Sequence, residues 1–295
     1  MRIIFVGTVN FSLQLLQTAI DERFDIVGVV TSSDKSINAD YSELKPICDL
    51  HHLPTIAVTD INSSQSLNWV RAKSPDLIFC FGWSRLIKAE LLQIPRYGVV
   101  GYHPSALPRN RGRHPVIWTL ILGLRETASS FFIMDEGVDS GDIISQKWVK
   151  VTANDDALSL YDRLVKTAKI QLIDLHKEFQ SGSIKLEPQR HDESNIWRKR
   201  TMDDGKIDWR MSAKSIYNLV RGLTYPYVGA HFCYEQEVYK VWRARKVKCC
   251  NYEHLEPGKV LEYTNSGAFI VKCGVDSIEL LEVRPTLHVR VGDYL

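Results

Sequence analysis

The sequence predicts an α/β protein with a doubly wound, mostly parallel sheet, followed by a small antiparallel β domain. Three observations lead to this prediction. In the first half, short apolar runs alternate with segments of helical spacing. After about residue 205, short alternating runs separated by turn residues take over. A polar and strongly charged stretch joins the two parts.

Five short runs of β-branched or apolar residues in the first half are typical of buried strands. They lie at residues 3–7, 26–31, 55–58, 77–81 and 99–101. Between them, apolar residues recur every three or four positions, which predicts helices with one apolar face. Leu13, Leu16, Ala19 and Ile20 are one such set. Strands that alternate with helices in this way favour a parallel sheet.

Two further strands and a long helix follow. The strands are predicted at residues 128–134 and 143–151. Asn154 and Asp155 can cap the helix, and Ser181-Gly182-Ser183 can end it. Its apolar face is predicted to contain Ala157, Tyr161, Leu164, Ala168, Leu172, Leu175 and Phe179.

The last third of the chain has a different pattern. One helix is predicted at residues 212–221, with Gly222 at its end. Strands are predicted at residues 230–234, 238–247, 258–263, 269–273 and 278–283. Several short strands after a helix suggest a small antiparallel barrel or sandwich. The expected organisation is therefore a domain at 1–188, a linker at 189–205 and a second domain at 206–295.

Composition excludes several function classes. The net charge of +2 offers no overall attraction to a nucleic acid or a membrane surface. No apolar run reaches transmembrane length, and no secretory signal is evident. The six cysteines lack a framework spacing, which favours free thiols in a reducing cytoplasm. CxxC, HExxH and EF-hand motifs are missing from the sequence, so no metal site is expected.

Two motifs carry residues suited to proton transfer. His103 follows an apolar run at 98–101, and Asp139 follows another at 128–134. Groups at the ends of strands in an open α/β sheet can converge on one cleft. A base oriented by an acid is the minimum for proton transfer. The sequence therefore predicts an enzyme that uses His103 and Asp139, with the flanking Asp135 and Asp142 as alternative carboxylates.

These motifs resemble those of the formyltransferase family that uses N10-formyltetrahydrofolate. The resemblance covers nearly the whole chain. It includes MRIIFVGT at residues 1–8, HPSALP at 103–108, RGR at 111–113, GVDSGD at 137–142, KIDW at 206–209, YKVW at 239–242 and ELL at 279–281. It implies a Rossmann-like catalytic domain, an OB-like C-terminal barrel, N10-formyltetrahydrofolate as co-substrate and no metal.

The resemblance also implies roles for individual residues. His103 is the general base toward the attacking amine, and Asp139 orients its ring. The folate is expected to contact Arg85, Leu86, Ile87, Arg113, Asp135, Glu136, Gly137, Val138 and Asp139. The amine substrate is expected to contact Asn10, Arg198 and Arg200, because guanidinium groups donate paired hydrogen bonds to a diphosphate.

One position departs from the family pattern. The family usually has an asparagine two residues before the histidine, where its amide stabilises the oxyanion, and this chain has Gly101 there. Loss of one oxyanion donor typically costs on the order of a hundredfold or more in rate. We expect an active enzyme with a substitute donor, which could be the charged ring of His103, a backbone amide near Gly101, Asn10 or Asn110.

Within the family, two features favour a nucleotide-linked amino-deoxysugar over methionyl-tRNA as the acceptor. Residues 32–42 contain Lys35 as their single base, whereas tRNA binding needs several phosphate contacts. Residues 198–205 resemble the corresponding run in enzymes that act on nucleotide-linked amino sugars. The resemblance extends to the branch that formylates dTDP-4-amino-4,6-dideoxyglucose for O-antigen and lipopolysaccharide synthesis.

Alternatives stay open at this stage. They are a methionyl-tRNA formyltransferase and a folate-binding protein that has lost catalysis, the second suggested by Gly101. The nucleotide, the sugar epimer and the position of the amine are not determined by the sequence. Neither a nucleic acid nor a membrane is expected as a partner. A homodimer is one option, with residues 269–273 as an edge strand that could pair.

Overall fold

The computed structural model describes residues 1–34, 40–248, 254–265 and 267–295. Lys35 lies outside these ranges. The chain divides into two compact units. The first contains Met1–Pro115, Thr127–Val149 and Asp162–Trp197, and the second contains Val116–Glu126, Lys150–Tyr161 and Arg198–Leu295. Residues 189–197, which the sequence analysis assigned to a linker, belong to the first unit.

Among the described residues, the first part of the chain forms nine strands. They are β1 (Ile3–Gly7), β2 (Ile26–Ser32), β3 (Thr55–Val58), β4 (Leu77–Phe81), β5 (Val99–His103), β6 (Arg111–Gly112), β7 (Glu126–Ile133), β8 (Ile143–Lys150) and β9 (Ile196–Trp197). Seven of them form one sheet in the order β3-β2-β1-β4-β5-β7-β8. The pairs from β3 to β5 are parallel, and β7 pairs antiparallel with β5. The predicted mostly parallel sheet is confirmed.

Six α-helices in the described part of the chain accompany these strands. They are α1 (Asn10–Asp21), α2 (Lys45–Leu50), α3 (Ser64–Ala72), α4 (Ala89–Leu92), α5 (Pro115–Ile121) and α6 (Ala157–Ser181). All residues of β1 and β4 are buried, as their continuous apolar sequences predict. The Ser12 hydroxyl accepts from the Thr8 amide and donates to the Phe81 carbonyl, so it links the start of α1 to the end of β4.

The long helix α6 has the predicted apolar face, with Leu164, Leu172 and Leu175 buried. Its cap differs from the expected Asn154 or Asp155. The carboxylate of Asp156 accepts from the Ser159 amide, and the Ser159 hydroxyl accepts from the Asp156 amide. This reciprocal pair satisfies two free amides at the helix start. Asp155 instead accepts from the Thr152 amide at 2.6 Å.

The second unit contains one further helix and a sheet. Helix α7 (Ala213–Leu223) is capped by the Ser212 hydroxyl, which accepts from the Ser215 amide. Gly222 lies inside α7 and does not end it, contrary to the prediction. A Cβ atom at Gly222 would lie 3.2 Å from Ile121 Cγ1, so the glycine permits close packing there.

The sheet of the second unit is antiparallel and has five strands within residues 230–248, 254–265 and 267–295. They are β10 (Ala230–Tyr234), β11 (Glu237–Val247), β12 (Val260–Tyr263), β13 (Phe269–Lys272) and β14 (Ser277–Arg284), in the order β10-β11-β14-β13-β12. Apolar residues of α7 pack in one cluster with buried residues of these strands. The predicted small antiparallel β domain is confirmed.

One expectation about this sheet is wrong. Residues 269–273 were expected to offer a free edge, but β13 is hydrogen-bonded to β12 on one side and to β14 on the other. A strand with both sides paired has no backbone groups left for a second copy. The two ends of the strand order are β10 and β12. No helix in the described ranges is long and apolar enough to span a membrane.

Candidate active site

His103 is the last residue of β5, two residues beyond the predicted strand end, because it pairs with Ser130 of β7. The histidine is buried. The following loop is fixed by Ser105, whose carbonyl accepts from the Ser130 hydroxyl at 2.6 Å. The Ser105 hydroxyl in turn donates to the Arg109 carbonyl. The serine two residues after the histidine therefore shapes the loop that surrounds the imidazole.

Asp139 lies in the loop between β7 and β8 and faces the imidazole. Its Oδ2 atom lies 3.5 Å from His103 Nδ1 and accepts from the Gly112 amide at 2.9 Å. Asp139 has a φ of +51°, a conformation that is uncommon for a residue with a side chain. Asp135 accepts from the Gly137 amide and the Ser140 hydroxyl, so its carboxylate shapes the loop.

The other ring nitrogen of His103 is also engaged. Nε2 lies 2.8 Å from the Asn110 carbonyl oxygen. A carbonyl oxygen accepts but cannot donate, so Nε2 carries a proton and donates it to this bond. In a neutral ring, Nδ1 is then the nitrogen with a free lone pair. Proton uptake at Nδ1 places the new positive charge against Asp139.

Gly101 lies in β5, paired with Phe132 and Cys80. A Cβ atom at this position would lie 2.8 Å from Phe132 Cζ and 2.9 Å from Met134 Cγ. The backbone here therefore has no room for the usual asparagine unless these side chains move. Asn10 lies in the first turn of α1, and Asn110 contacts the imidazole through its main chain.

The loop after β4 contains the predicted folate-contacting residues Arg85, Leu86 and Ile87. Ile87 is buried, whereas Leu86 is 61% exposed. Arg113 Nη2 donates to the Ser84 carbonyl at 2.7 Å, which connects this loop to the segment that follows His103. Arg85 forms an ion pair with Asp34 at 3.2 Å.

The loop that carries Asp139 contains the remaining predicted folate contacts. Glu136 and Gly137 are exposed, and the apolar side chain of Val138 is 51% exposed. Leu86 and Val138 are thus two exposed apolar side chains on two loops that contain predicted site residues. Sites for small organic ligands combine apolar side chains with a few placed polar groups, which include backbone N–H and C=O.

Arg198 and Arg200 belong to the second unit, where they flank Trp118. The two Cζ atoms lie 5.5 Å and 4.8 Å from the centre of the indole ring. The guanidinium of Arg198 forms an ion pair with Asp204 and, through its hydrogen bonds, holds the pKa of that carboxyl below its usual range. Burial lowers the pKa of Arg200. Asn10, the third predicted substrate contact, belongs to the first unit.

Two family models match this chain. Residues 1–175 match the formyl transferase model, and residues 199–290 match the formyl transferase C-terminal domain model. The chain belongs to the formyl transferase family. Membership makes it a one-carbon group transferase, as the sequence analysis predicted.

Individual relatives of this formyl transferase differ in their acceptors. The methionyl-tRNA formyltransferase of Caldanaerobacter subterraneus subsp. tengcongensis is 30% identical over 297 residues, covering 99% of this chain and 94% of that protein. The fold is shared with WlaRD, a sugar 3N-formyl transferase solved in the presence of dTDP and 5-N-formyl-THF. That likeness has a TM-score of 0.70 and 17% identity, and covers 97% of this chain and 99% of that one.

A second solved sugar enzyme has the same fold. The N-formyltransferase from Helicobacter canadensis, in complex with folinic acid and dTDP-3-aminofucose, matches with a TM-score of 0.67 and 16% identity. The match covers 94% of this formyl transferase and 98% of that chain. Within the described ranges of our chain, no group of three His, Cys, Asp or Glu side chains is placed to hold a metal ion.

Sequence reasoning missed Asn62, which holds the loop after β4. Its side-chain amide donates to the Leu86 carbonyl at 2.9 Å, and its side-chain oxygen accepts from the Lys88 amide at 2.8 Å. The Leu86 carbonyl and the Lys88 amide lie on either side of Ile87, so one side chain that binds both fixes the main chain at Ile87. An isolated asparagine between β3 and α3 gives no sequence signal for this contact.

Replacing Gly101 by asparagine is expected to lower the free energy of unfolding by about 1–3 kcal/mol, because the new side chain overpacks the space beside Phe132. Urea denaturation measures the change. Adding Phe132→Leu removes the ring tip and should recover part of the lost stability. A Gly101→Asn variant as stable as the wild type would contradict this packing argument.

Proposed function

We propose that this formyl transferase moves the formyl group of N10-formyltetrahydrofolate to the amine of a nucleotide-linked amino-deoxysugar. The first candidate acceptor is dTDP-4-amino-4,6-dideoxyglucose. The observation that carries the proposal is the pair of His103 and Asp139, with Nδ1 and Oδ2 3.5 Å apart at the end of β5. This pair provides a base and a stabilising charge for amine chemistry.

The residues around this pair are suited to a folate. Leu86 and Val138 are exposed apolar side chains that can pack against a flat pterin. Arg113 and Asn62 fix the Ser84 and Leu86 carbonyls, so the main chain of this loop is held in a defined position. When bound, the formylated folate supplies an electrophilic formyl carbon.

His103 acts as the base in this proposal. The amine nitrogen bonds to the formyl carbon, and Nδ1 accepts the proton that this nitrogen loses. Nε2 keeps its bond to the Asn110 carbonyl, which prevents the ring from turning. Asp139, held by the Gly112 amide, stabilises the imidazolium. His103 then returns the proton to the folate nitrogen as the bond from that nitrogen to the formyl carbon breaks.

Arg198 and Arg200 support a nucleotide-linked acceptor. Both guanidinium groups lie near the Trp118 ring, and Arg198 is largely exposed. Two cationic side chains beside an aromatic ring suit a diphosphate joined to a planar base. The folds of WlaRD and of the Helicobacter canadensis enzyme are consistent with this acceptor class.

A panel of acceptors tests the proposal. The wild-type enzyme is incubated with fresh N10-formyltetrahydrofolate and dTDP-, UDP- or GDP-linked 3-amino and 4-amino deoxysugars. The mass of the true substrate should rise by one formyl unit. No product on any sugar at high enzyme concentration overturns the sugar assignment. Folate binding without turnover on any acceptor would favour a protein that has lost catalysis.

Methionyl-tRNA is the second candidate acceptor. The 30% identity with the Caldanaerobacter enzyme over 99% of this chain favours it. The single base among residues 32–42 argues against it, because each phosphate contact of a tRNA needs a positive partner. Charged initiator tRNA therefore belongs in the same assay. Formylated methionyl-tRNA as the only product would move the assignment to that branch.

Replacing Arg198 by alanine is expected to raise the KM for the nucleotide sugar roughly 10- to 100-fold, because a charge-assisted hydrogen bond to the diphosphate is lost. The kcat should stay near that of the wild type. Steady-state kinetics with saturating folate measure both values. Arg210→Ala is the matched control, since Arg210 is likewise exposed and paired with an aspartate, Asp208. An equal rise of KM in both variants would contradict the diphosphate role.

A further inference from the structure

Residues 187–197 form a strap that contacts the loop containing Asp139 and the segment that follows His103. At one end, the main chain of Glu187 exchanges two hydrogen bonds with Ile143. At the other end, β9 pairs with β6, and the Arg113 amide donates to the Trp197 carbonyl. The strap therefore joins the segment after His103 to the beginning of β8.

Gln189 is the strap residue whose side chain binds the main chain of the Asp139 loop. Its side chain is buried. The amide nitrogen donates to the Asp139 carbonyl at 2.9 Å and to the Gly141 carbonyl at 2.6 Å. The amide oxygen accepts from Nε and Nη2 of Arg111 at 3.1 Å and 2.7 Å. All the donors and acceptors of this side chain are therefore used.

These contacts bear directly on the catalytic carboxylate. The main chain of Asp139 has a positive φ, a conformation that persists when surrounding contacts stabilise it. Gln189 binds the carbonyl of that same residue and the carbonyl two residues later. Gln189 also binds the side chain of Arg111, which precedes Gly112 in the chain. The amide of Gly112 donates to the Asp139 carboxylate.

We infer that Gln189 is a positioning residue, which keeps the Asp139 carboxylate against His103 by fixing the main chain of the Asp139 loop. The inference rests on the proposed function, because it takes Asp139 to be a catalytic residue whose position Gln189 maintains. Gln189 acts through Asp139 and does not itself contact the reacting groups.

The second unit provides a matched control for this contact. Asn218 is also a buried amide, and its oxygen accepts from Nε of the buried Arg221 while its nitrogen donates to the Ile121 carbonyl. Gln189→Glu and Asn218→Asp make the same chemical change. Each keeps an acceptor for a buried arginine and replaces an amide donor by a carboxylate oxygen.

Kinetics test the inference first. Gln189→Glu places an oxygen against two carbonyls, so we expect kcat to fall roughly 10- to 100-fold with little change in KM. Asn218→Asp should leave kcat near that of the wild type. In an Asp139→Asn background, Gln189→Glu should cause little further loss, because it acts through that carboxylate. Equal losses of kcat in Gln189→Glu and Asn218→Asp overturn the inference. Additive losses when Gln189→Glu is combined with Asp139→Asn overturn it as well.

Hydrogen exchange of the Gly112 amide provides a readout that does not depend on turnover. This amide donates to the Asp139 carboxylate, so it should exchange faster in Gln189→Glu than in the wild type or Asn218→Asp. Unchanged exchange overturns the inference. If Gln189→Glu does not fold, Gln189→Met, which removes the donors without adding charge, replaces it. A wild-type enzyme that formylates no acceptor refutes the proposed function, while the exchange result still decides whether Gln189 holds Asp139.

Discussion

Replacing His103 by glutamine should lower kcat roughly 10²- to 10⁴-fold, the usual contribution of a general base. Glutamine can keep a donor toward the Asn110 carbonyl, but its amide cannot take up a proton at neutral pH. KM for both substrates should stay close to wild type, because the proposed binding loops are unchanged. Formylation of the acceptor, followed by mass spectrometry under saturating conditions, measures the loss.

Two checks accompany this variant. Urea denaturation establishes that His103→Gln folds with near-native stability, so that a rate loss is not caused by unfolding. A rate within about tenfold of the wild type would show that His103 contributes far less than a general base normally does. The proton acceptor would then have to be another group or solvent.

Replacing Asp139 by asparagine should lower kcat by roughly 10²- to 10⁴-fold, the range that a carboxylate beside a catalytic histidine supports. Asparagine keeps an oxygen for the Gly112 amide but removes the negative charge beside Nδ1. The imidazolium that forms on proton uptake then lacks its partner. Single-turnover kinetics with enzyme in excess isolate this step from product release.

Asp142→Asn is the matched control for this prediction. Asp142 belongs to the same acidic loop, and its main-chain carbonyl accepts from the Ile133 amide, which the substitution leaves intact. Its rate should equal that of the wild type. Comparable losses in both variants would mean that the charge of the whole loop matters and that Asp139 has no special role.

The fold could be predicted because it depends on local patterns. The continuous apolar runs of β1 and β4 identify buried strands, and the spacing of Leu164, Leu172 and Leu175 identifies one face of α6. The cap of α6 was misplaced by one or two residues, because three consecutive polar residues all favour a helix start. Asp156 is the one whose carboxylate reaches the Ser159 amide.

The pairing of His103 with Asp139 was predictable from two motifs that follow neighbouring strands. The residues that support this pair were not. Gln189 lies 50 positions from Asp139, and Asn62 lies 24 positions from Leu86. Contacts of this range depend on the tertiary fold, and a single glutamine in a polar stretch has the same local appearance as a solvent-exposed one. The sequence around Gln189 or Asn62 therefore does not predict these hydrogen bonds.

The sequence identifies the reaction as formyl transfer, but it does not identify the acceptor amine. The roles proposed for His103 and Asp139 would serve formyl transfer to any amine, so the proposed catalytic pair does not distinguish a sugar from an aminoacyl-tRNA. In our proposal that distinction depends on surface charges such as Arg198, and the fold does not show which molecule such a charge binds. The relatives reflect this separation, because both acceptor types occur on the same fold.

The tight packing around Gly101 also constrains how this protein can evolve. An asparagine introduced first would meet the Phe132 ring, whereas a smaller residue at 132 would open the space in advance. The order of the substitutions at positions 101 and 132 therefore affects the stability of the intermediate protein. A lineage could gain a side chain at position 101 most easily after a change at 132, and the path in the reverse order passes through a less stable ancestor.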